Sequence, residues 1–542
     1  MIQQSDAYAS PYYSAHRPHY GARAAVASSQ PLASTAGLEM LFRGGNAVDA
    51  AIAMAIALTV LEPTSNGIGG DAFALVWDGV LHGLNGSGRS PAAMERDRYP
   101  HGQIPHHGWL TVTVPGAVSA WRRLWKRWGK LPFEALFEPA IRYAEAGFPV
   151  GPVTAQAWAR AATPMMALQG PEYEPLQQLF FPQGRAPQPG EWWRSPGYAA
   201  TLRAIAQQGS AAFYQGELAE KIVAFAQQTG GLLTAADLQA QKAEWVAPLS
   251  IQYRDVTVWE LPPNTQGIAA LLALKILEGY TFDPKQNNPQ QNSAWARPET
   301  LHLQIEAMKL AFADVNAAIA DPETMQLDPV ALLTPDYIQA RRALIQPDVA
   351  LNQPEPGIPN SGTVYFCAAD GELMVSMIQS NYQDFGSGIL IPETGILLQN
   401  RACGFTLQAG HPNELAPNKR PLHTIIPGFL SRDDEPLGPF GVMGGQMQPQ
   451  GHLQLVMNLV DYQMNPQSAL DLHRWRFLEG QRVLLEAGTS PQTIAALEAL
   501  GHQVRIPEES FHFGKGQVIL RNPGGGLIAG SEPRADGCAI VI

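Results

Sequence analysis

The feature that most constrains this chain is an alternating apolar hairpin that follows directly on a proline-rich linker. Residues Asn352-Gln-Pro-Glu-Pro-Gly-Ile-Pro-Asn-Ser-Gly362 run into Thr363-Val-Tyr-Phe-Cys-Ala-Ala-Asp370, and after two turn residues comes Leu373-Met-Val-Ser-Met-Ile-Gln-Ser380. With a period of two, Thr363, Tyr365, Cys367 and Ala369 point one way and Val364, Phe366 and Ala368 the other. Both faces are largely apolar, so this strand has to be covered on both sides. A residue at its start lies at the sheet margin, where a substrate can reach it. A linker ending at a strand-opening threonine also suits a chain that cuts itself there. The freed α-amine would then act as general base for that threonine's own hydroxyl. Most Gly-Thr steps before a strand are turn and strand chemistry only, so the other segments have to decide.

At 542 residues the chain can form two or three domains, or one large intertwined unit. Its 45% hydrophobic content argues against global disorder. A net charge of -12 argues against a general phosphate-backbone binder, whose affinity would come from a basic surface. The densest basic run, Arg122-Arg-Leu-Trp-Lys-Arg127, carries Trp121, Trp125 and Trp128 on one helical face. That stripe reads as helix packing rather than as a membrane or nucleic-acid contact. Cys367, Cys403 and Cys538 lack CxxC spacing and cannot build a disulfide framework. No leader pattern is visible in the first 30 residues, and the longest apolar run, 50–61, is too short to span a bilayer. The expectation is a soluble cytoplasmic protein, or a periplasmic or extracellular one if a leader was removed. No metal is expected, because neither HExxH nor a histidine–cysteine cluster occurs, and each histidine, His106 and His107 included, reads as a loop or surface residue. Gly37, Gly44 and Gly45 form no GxGxxG element after a strand, so no nucleotide cofactor is expected.

Periodicity predicts helices over residues 34–43, 47–61, 115–128, 132–145, 153–162, 198–206, 215–228, 267–277, 300–313, 450–462 and 489–500. Strands are expected at 72–77, at 80–84 after the Asp78-Gly79 turn, in the hairpin, and at 503–506 and 516–521. Residues 234–263 read as loops and strands, and those between the hairpin and Gly441 as loops. Helices in the first two thirds and strands in the last third fit a layered α+β architecture.

Several segments together resemble the γ-glutamyltranspeptidase (glutathione hydrolase) family of N-terminal-nucleophile hydrolases. They are Gly44-Gly-Asn-Ala-Val-Asp49, Asn66-Gly-Ile-Gly-Gly70, Val114-Pro-Gly-Ala117, Phe385-Gly-Ser-Gly388, Gly395-Ile-Leu-Leu-Gln-Asn400, Pro417-Asn-Lys-Arg-Pro-Leu422, Met443-Gly-Gly445 and Glu532-Pro-Arg-Ala-Asp-Gly537. The resemblance implies a stacked αββα sandwich with additional helices from the large subunit, and self-cleavage of the one chain into a large subunit 1–362 and a small subunit 363–542 that stay interlocked as one unit. It also implies a nucleophile at Thr363, with Ser361 as an off-by-two alternative, and an oxyanion hole from the Gly444 and Gly445 N–H groups. Losing one such donor typically costs about 3 kcal/mol of transition-state stabilisation. Ser380 matches the family's second threonine, although an ungapped match would put Gln379 there. Tyr382, or Asn381 after a small shift, falls where the family has an asparagine near the glutamyl group.

The departures bear on substrate. The resemblance puts Gly404 where an acidic residue holds the α-amine, and Ser87 where an arginine holds the α-carboxylate. His423-Thr424 stands in place of a serine pair, and Arg89 lies two residues from the expected arginine. An unpaired charged head in a closed pocket costs several kcal/mol. The chain therefore looks more like the cephalosporin and glutaryl acylase-like branch, acting on a small-molecule amide. Two other readings stay open: true glutathione hydrolysis with transpeptidation, and an uncleaved, non-catalytic small-molecule binder. A higher oligomer is compatible with all of them.

Overall fold

The computed structural model describes residues 16–99, 101–282, 296–352 and 362–542. Two seven-stranded antiparallel sheets form its centre. One runs in the order Cys538–Val541, Ala25–Ser28, Gly362–Ala369, Met374–Tyr382, Asp71–Trp77, Leu81–Asn85, Glu244–Val246. The other runs His19–Gly21, Leu527–Ser531, Lys515–Arg521, Glu435–Met443, Gly428–Arg432, Val256–Glu260, Leu249–Tyr253. Residues before and after the linker contribute strands to both sheets. The sequence boundary at 363 is therefore not a boundary in space.

The alternation of the hairpin explains the layering. Tyr365, Cys367 and Ala369 turn inward with Phe73, Leu75 and Ile378 and meet Phe429, Met443, Ile519 and Ala529 of the opposite sheet. Val364, Phe366 and Ala368 turn outward under the helices Pro31–Phe42, Ala47–Leu61 and Ala117–Trp128. The opposite sheet is covered on its outer face by Gly267–Leu277, Pro298–Ala318 and Met447–Val460. The result is the four-layer αββα sandwich that the resemblance implied.

The helix Ala47–Leu61 is buried along its whole length, so its apolar residues need no polar face. Its start is fixed by a reciprocal cap between Asn46 and Asp49. Asp370, at the end of the first hairpin strand, accepts the Ala47 N–H at 2.6 Å and also closes its own turn by accepting from Glu372 and Leu373. The tryptophan stripe packs as expected: Trp121 is fully buried, and Trp125 and Trp128 lie partly buried against the same core. Among the described residues no helix is long and apolar enough to cross a membrane.

Two expectations fail. The stretch before Gly441 is not loop but the hairpin Gly428–Arg432 and Glu435–Met443. Pro436, Gly438, Pro439 and Gly441 hide its strand pattern in the sequence. Residues 235–240 form a short helix capped by Thr234 rather than a strand or loop. Gly441 has a packing reason, because a methyl group there would collide with the Tyr365 ring across the sheets. Gly441→Ala is expected to cost about 1–3 kcal/mol through overpacking, read as a lowered midpoint of thermal unfolding. An unchanged midpoint would show that the sheets are not in close contact at that point.

Candidate active site

Thr363 sits at an irregularity in the hairpin. Gly362 pairs with Tyr382 and Val364 with Gln379, so Ser380 and Asn381 together oppose one residue, Thr363. The Thr363 hydroxyl donates to Ser380 Oγ at 3.3 Å. Ser380 Oγ also accepts from Tyr382 N at 2.7 Å and from an Arg401 guanidinium N–H at 3.2 Å. Gln379 points to the other face, where it accepts from Trp121 Nε1 at 2.9 Å and donates to Asn66 at 2.7 Å. Of the two alternatives, Ser380 is therefore the residue beside Thr363. Ser361 lies outside the described residues.

Asn381 and Tyr382 are both buried. The Asn381 amide lies over the glycine turn 66–70, where a methyl group on Gly67 would stand 2.9 Å from its Nδ2 and one on Gly70 2.5 Å from its Oδ1. Tyr382 adopts φ 81°, an uncommon value for a tyrosine, and its ring faces the Arg401 guanidinium at 4.2 Å. The amide of Asn381, the hydroxyl of Tyr382 and Nε of Arg401 have no protein hydrogen-bond partner. Each of the three side chains thus keeps a buried polar atom unsatisfied, which burial makes costly.

Arg401 was not singled out in the sequence, although it directly follows the segment Gly395–Asn400. It is fully buried and donates to Thr424 Oγ1 at 2.8 Å. Gln266 Nε2 in turn donates to the Thr424 carbonyl at 2.6 Å and to the Gly445 carbonyl at 2.9 Å. A continuous chain of hydrogen bonds therefore connects Thr363 through Ser380, Arg401, Thr424 and Gln266 to the Gly444–Gly445 turn. Both glycines have positive φ, 128° and 62°, and their carbonyls receive Met447 N and Gln448 N at the start of the helix Met447–Val460.

His423 donates from Nε2 to Asp71 Oδ2 at 3.1 Å, since its Nδ1 accepts from Ile425 N. Burial, reinforced by the Arg401 charge, pushes His423 well below the usual histidine range, so this is a hydrogen bond from a neutral ring. Burial pushes Asp71 up to about 7, while Arg401, Gln399 and the N–H groups of Gly88 and Gly116 work against that rise. Burial likewise lowers Arg401 to about 10. Arg401 and Asp71 are thus the principal opposite charges of the site.

The other expected residues fall into place differently. Ser87 is buried and accepts from Asn264 at 3.0 Å. Arg89 is engaged by Asp321 at 3.1 Å, Glu323 at 2.7 Å and the Asn418 carbonyl at 2.9 Å. Its charge is satisfied within the protein, away from the Thr363 network. Gly404 has no room for a side chain, because a methyl group there would lie 2.6 Å from the Leu422 carbonyl oxygen.

The expectation that each histidine is a loop or surface residue is wrong for His302 and His452, which lie buried on helices; His423 and His502 stand in connecting segments but are not at the surface. His302, His423, His452 and His502 are all buried. His302, Glu306 and His502 bring nitrogen and carboxylate atoms within 4.8 Å of one another, a grouping invisible in the sequence. Lys309 already pairs with Glu306 at 2.8 Å, and the two hold the Leu351 carbonyl and N–H. The cluster serves as a polar clamp, its carboxylate charge neutralised by the ammonium.

The sequence matches the family model for gamma-glutamyltranspeptidase over residues 33–542. The chain belongs to this family. It is 35% identical to the glutathione hydrolase-like YwrD proenzyme of Bacillus subtilis (strain 168), covering 96% of this chain and 99% of that one. It is also 35% identical to the oxamate amidohydrolase proenzyme of Klebsiella pneumoniae, covering 94% of this chain and 96% of the relative. Among solved structures, the cephalosporin acylase of Bacillus halodurans superposes with a TM-score of 0.92 at 48% identity over 99% of both chains. The chain is accordingly an enzyme of the transpeptidase and acylase amidohydrolase group, with its mixed α+β fold.

Two outcomes follow from this geometry. Gly404→Asp is expected to lower the unfolding midpoint through the clash with Leu422, without a gain in glutathione hydrolysis; a stable variant that gains this activity would refute the steric reading. The Asp71–His423 pair carries a pH signature. Asp71 folded titrates above its ordinary value, so its contribution to stability falls as pH rises from about 4 to about 7. His423 folded stays neutral, so its contribution is lost as pH drops below about 6.5. The two oppose each other between about 4 and 6.5. Asp71→Asn is expected to steepen the rise of the unfolding midpoint with pH over that window, and an equal or shallower slope would contradict the assignment.

Proposed function

We propose that this chain is a self-processing amidohydrolase with Thr363 as its nucleophile, acting on amides whose acyl group carries a carboxylate head. The observation that supports it best is the hydrogen-bond chain from the Thr363 hydroxyl through buried Arg401 to the Gly444–Gly445 turn. In the precursor, Thr363 Oγ attacks the Gly362 carbonyl and displaces its own nitrogen, giving an ester. Water then cleaves the ester, leaving a Gly362 carboxylate and a free Thr363 amine. In the mature enzyme that amine takes the hydroxyl proton as Oγ attacks the substrate amide. The Gly444 and Gly445 N–H groups receive the oxyanion. The departing amine accepts the proton, and water releases the acyl group from Thr363. The large piece 1–362 and the small piece 363–542 stay together because each sheet takes strands from both.

Head-group recognition rests on Arg401, Asn381 and Tyr382, which lie near the start of the Thr363 strand and each keep a buried polar atom without a protein partner. A buried guanidinium favours an anionic oxygen, while the blocked Gly404 position offers nothing for an α-amine. This favours glutaryl-type or other amino-free acyl heads over the γ-glutamyl group of glutathione.

Thr363→Ala is expected to remain one 542-residue chain on a denaturing gel and to hydrolyse no amide, whereas the parent gives two pieces. Two pieces from the alanine variant would rule out Thr363. The parent should also cleave a glutaryl amide in preference to glutathione. Arg401→Gln should lower kcat/KM for that amide about tenfold or more relative to an uncharged acyl analogue, as expected for one charged hydrogen bond. Equal losses on both would remove Arg401 from head-group recognition.

A further inference from the structure

The basic run on the helix Ala117–Trp128 is not accounted for by the proposed chemistry. Its solvent side lines a cleft of about 220 Å³ together with the loop that follows the short helix Ala235–Ala240. Arg122, Arg123 and Lys126 come from the helix and Lys242 from the loop, and no aspartate or glutamate lines the space. Among the described residues none of these four cations forms an ion pair, and burial alone lowers Arg122, with no carboxylate to raise it. The arrangement is preformed. Arg122 lies over the Trp125 and Phe133 rings at 4.3 and 4.8 Å, and Arg123 over Trp245 at 6.0 Å. The loop is pinned to the helix by the Ala243 N–H, which donates to Ser119 Oγ at 2.8 Å. Gln241 also lines the cleft, and its Nε2 is buried with no protein acceptor. A donor left unsatisfied in this way is costly unless something accepts from it.

From this geometry we infer that the cleft between the helix Ala117–Trp128 and the 241–243 loop is a binding site for a small phosphate-bearing ligand. Four cations match the oxygens of a phosphate, which takes several charge-assisted hydrogen bonds at once. The volume is several times a water's share of about 30 Å³, enough for the anion and a small organic portion. An extended nucleic acid is a poor occupant, because the rest of the chain carries the excess of acid that makes its net charge -12. The site is separate from the Thr363 network and does not depend on the function proposed for it.

The test is isothermal titration of the full chain with inorganic phosphate and, separately, with glycerol phosphate, in chloride buffer of constant ionic strength. One saturable site is expected for at least one of the two, and the tighter ligand tells free phosphate from a phosphate ester. Arg123→Gln combined with Lys126→Gln should weaken binding about tenfold or more, with the unfolding midpoint and amide hydrolysis unchanged. Gln241→Leu, which removes only the amide donor, should weaken it less. Binding of neither anion, or binding indifferent to both sets of substitutions, would overturn the inference. If the double variant unfolds early, Lys242→Gln on the loop side of the cleft takes its place, with the same criterion.

Discussion

Burial of one hairpin on both of its faces governs this structure. The strand Gly362–Ala369 has a sheet-to-sheet core on one side and helices on the other, so its register cannot slip without moving apolar side chains onto the wrong layer. That constraint sets Thr363 at the edge of the sandwich and brings Ser380, rather than Gln379, to its side. It also means that a cut before Thr363 would release little. The strands on either side of the bond are woven into both sheets, and the new chain end would stay where the strand holds it.

The chemistry of the site rests on buried charge. Arg401 is enclosed among Ser380, Thr424 and the Tyr382 ring, with Asp71 as its opposite charge. A buried cation of this kind is poorly repaid by Coulomb attraction alone. It is held at a point where it orders two hydroxyl groups, those of Ser380 and Thr424. The neutral His423 ring fits the same logic, since a second cation beside Arg401 would be strongly disfavoured. Glycines complete the arrangement by close approach: Gly67 and Gly70 make room for the Asn381 amide, and Gly404 fits under the Leu422 carbonyl.

Much of the fold was legible in the residues. Helix Gly267–Leu277 lies where its apolar pattern put it, and the hairpin alternation reported both covered faces. The hairpin Gly428–Met443 was not legible, because prolines and glycines that read as loop serve there to let two sheets approach. Among site residues, Thr363, Ser380, Asn381 and Tyr382 lie within one local pattern and could be read together. Arg401 was missed because an isolated arginine ordinarily means surface, and only its neighbours in space show otherwise. Arg89 misled for the converse reason: its place in the sequence was suggestive, but acidic partners more than 230 residues away, Asp321 and Glu323, take up its charge.

The residue pattern by itself determined the layers, the strand that opens with a threonine, and the family, because period and local motif survive in a linear string. Only the tertiary structure decided which polar groups share a buried space. His423 meets Asp71 across 352 positions, His302 meets His502 across 200, and Arg401 joins Thr363 to the glycine turn through three other residues, Ser380, Thr424 and Gln266. The physical reason is that electrostatics and desolvation act through distance and enclosure, and neither quantity is defined until the chain has closed on itself.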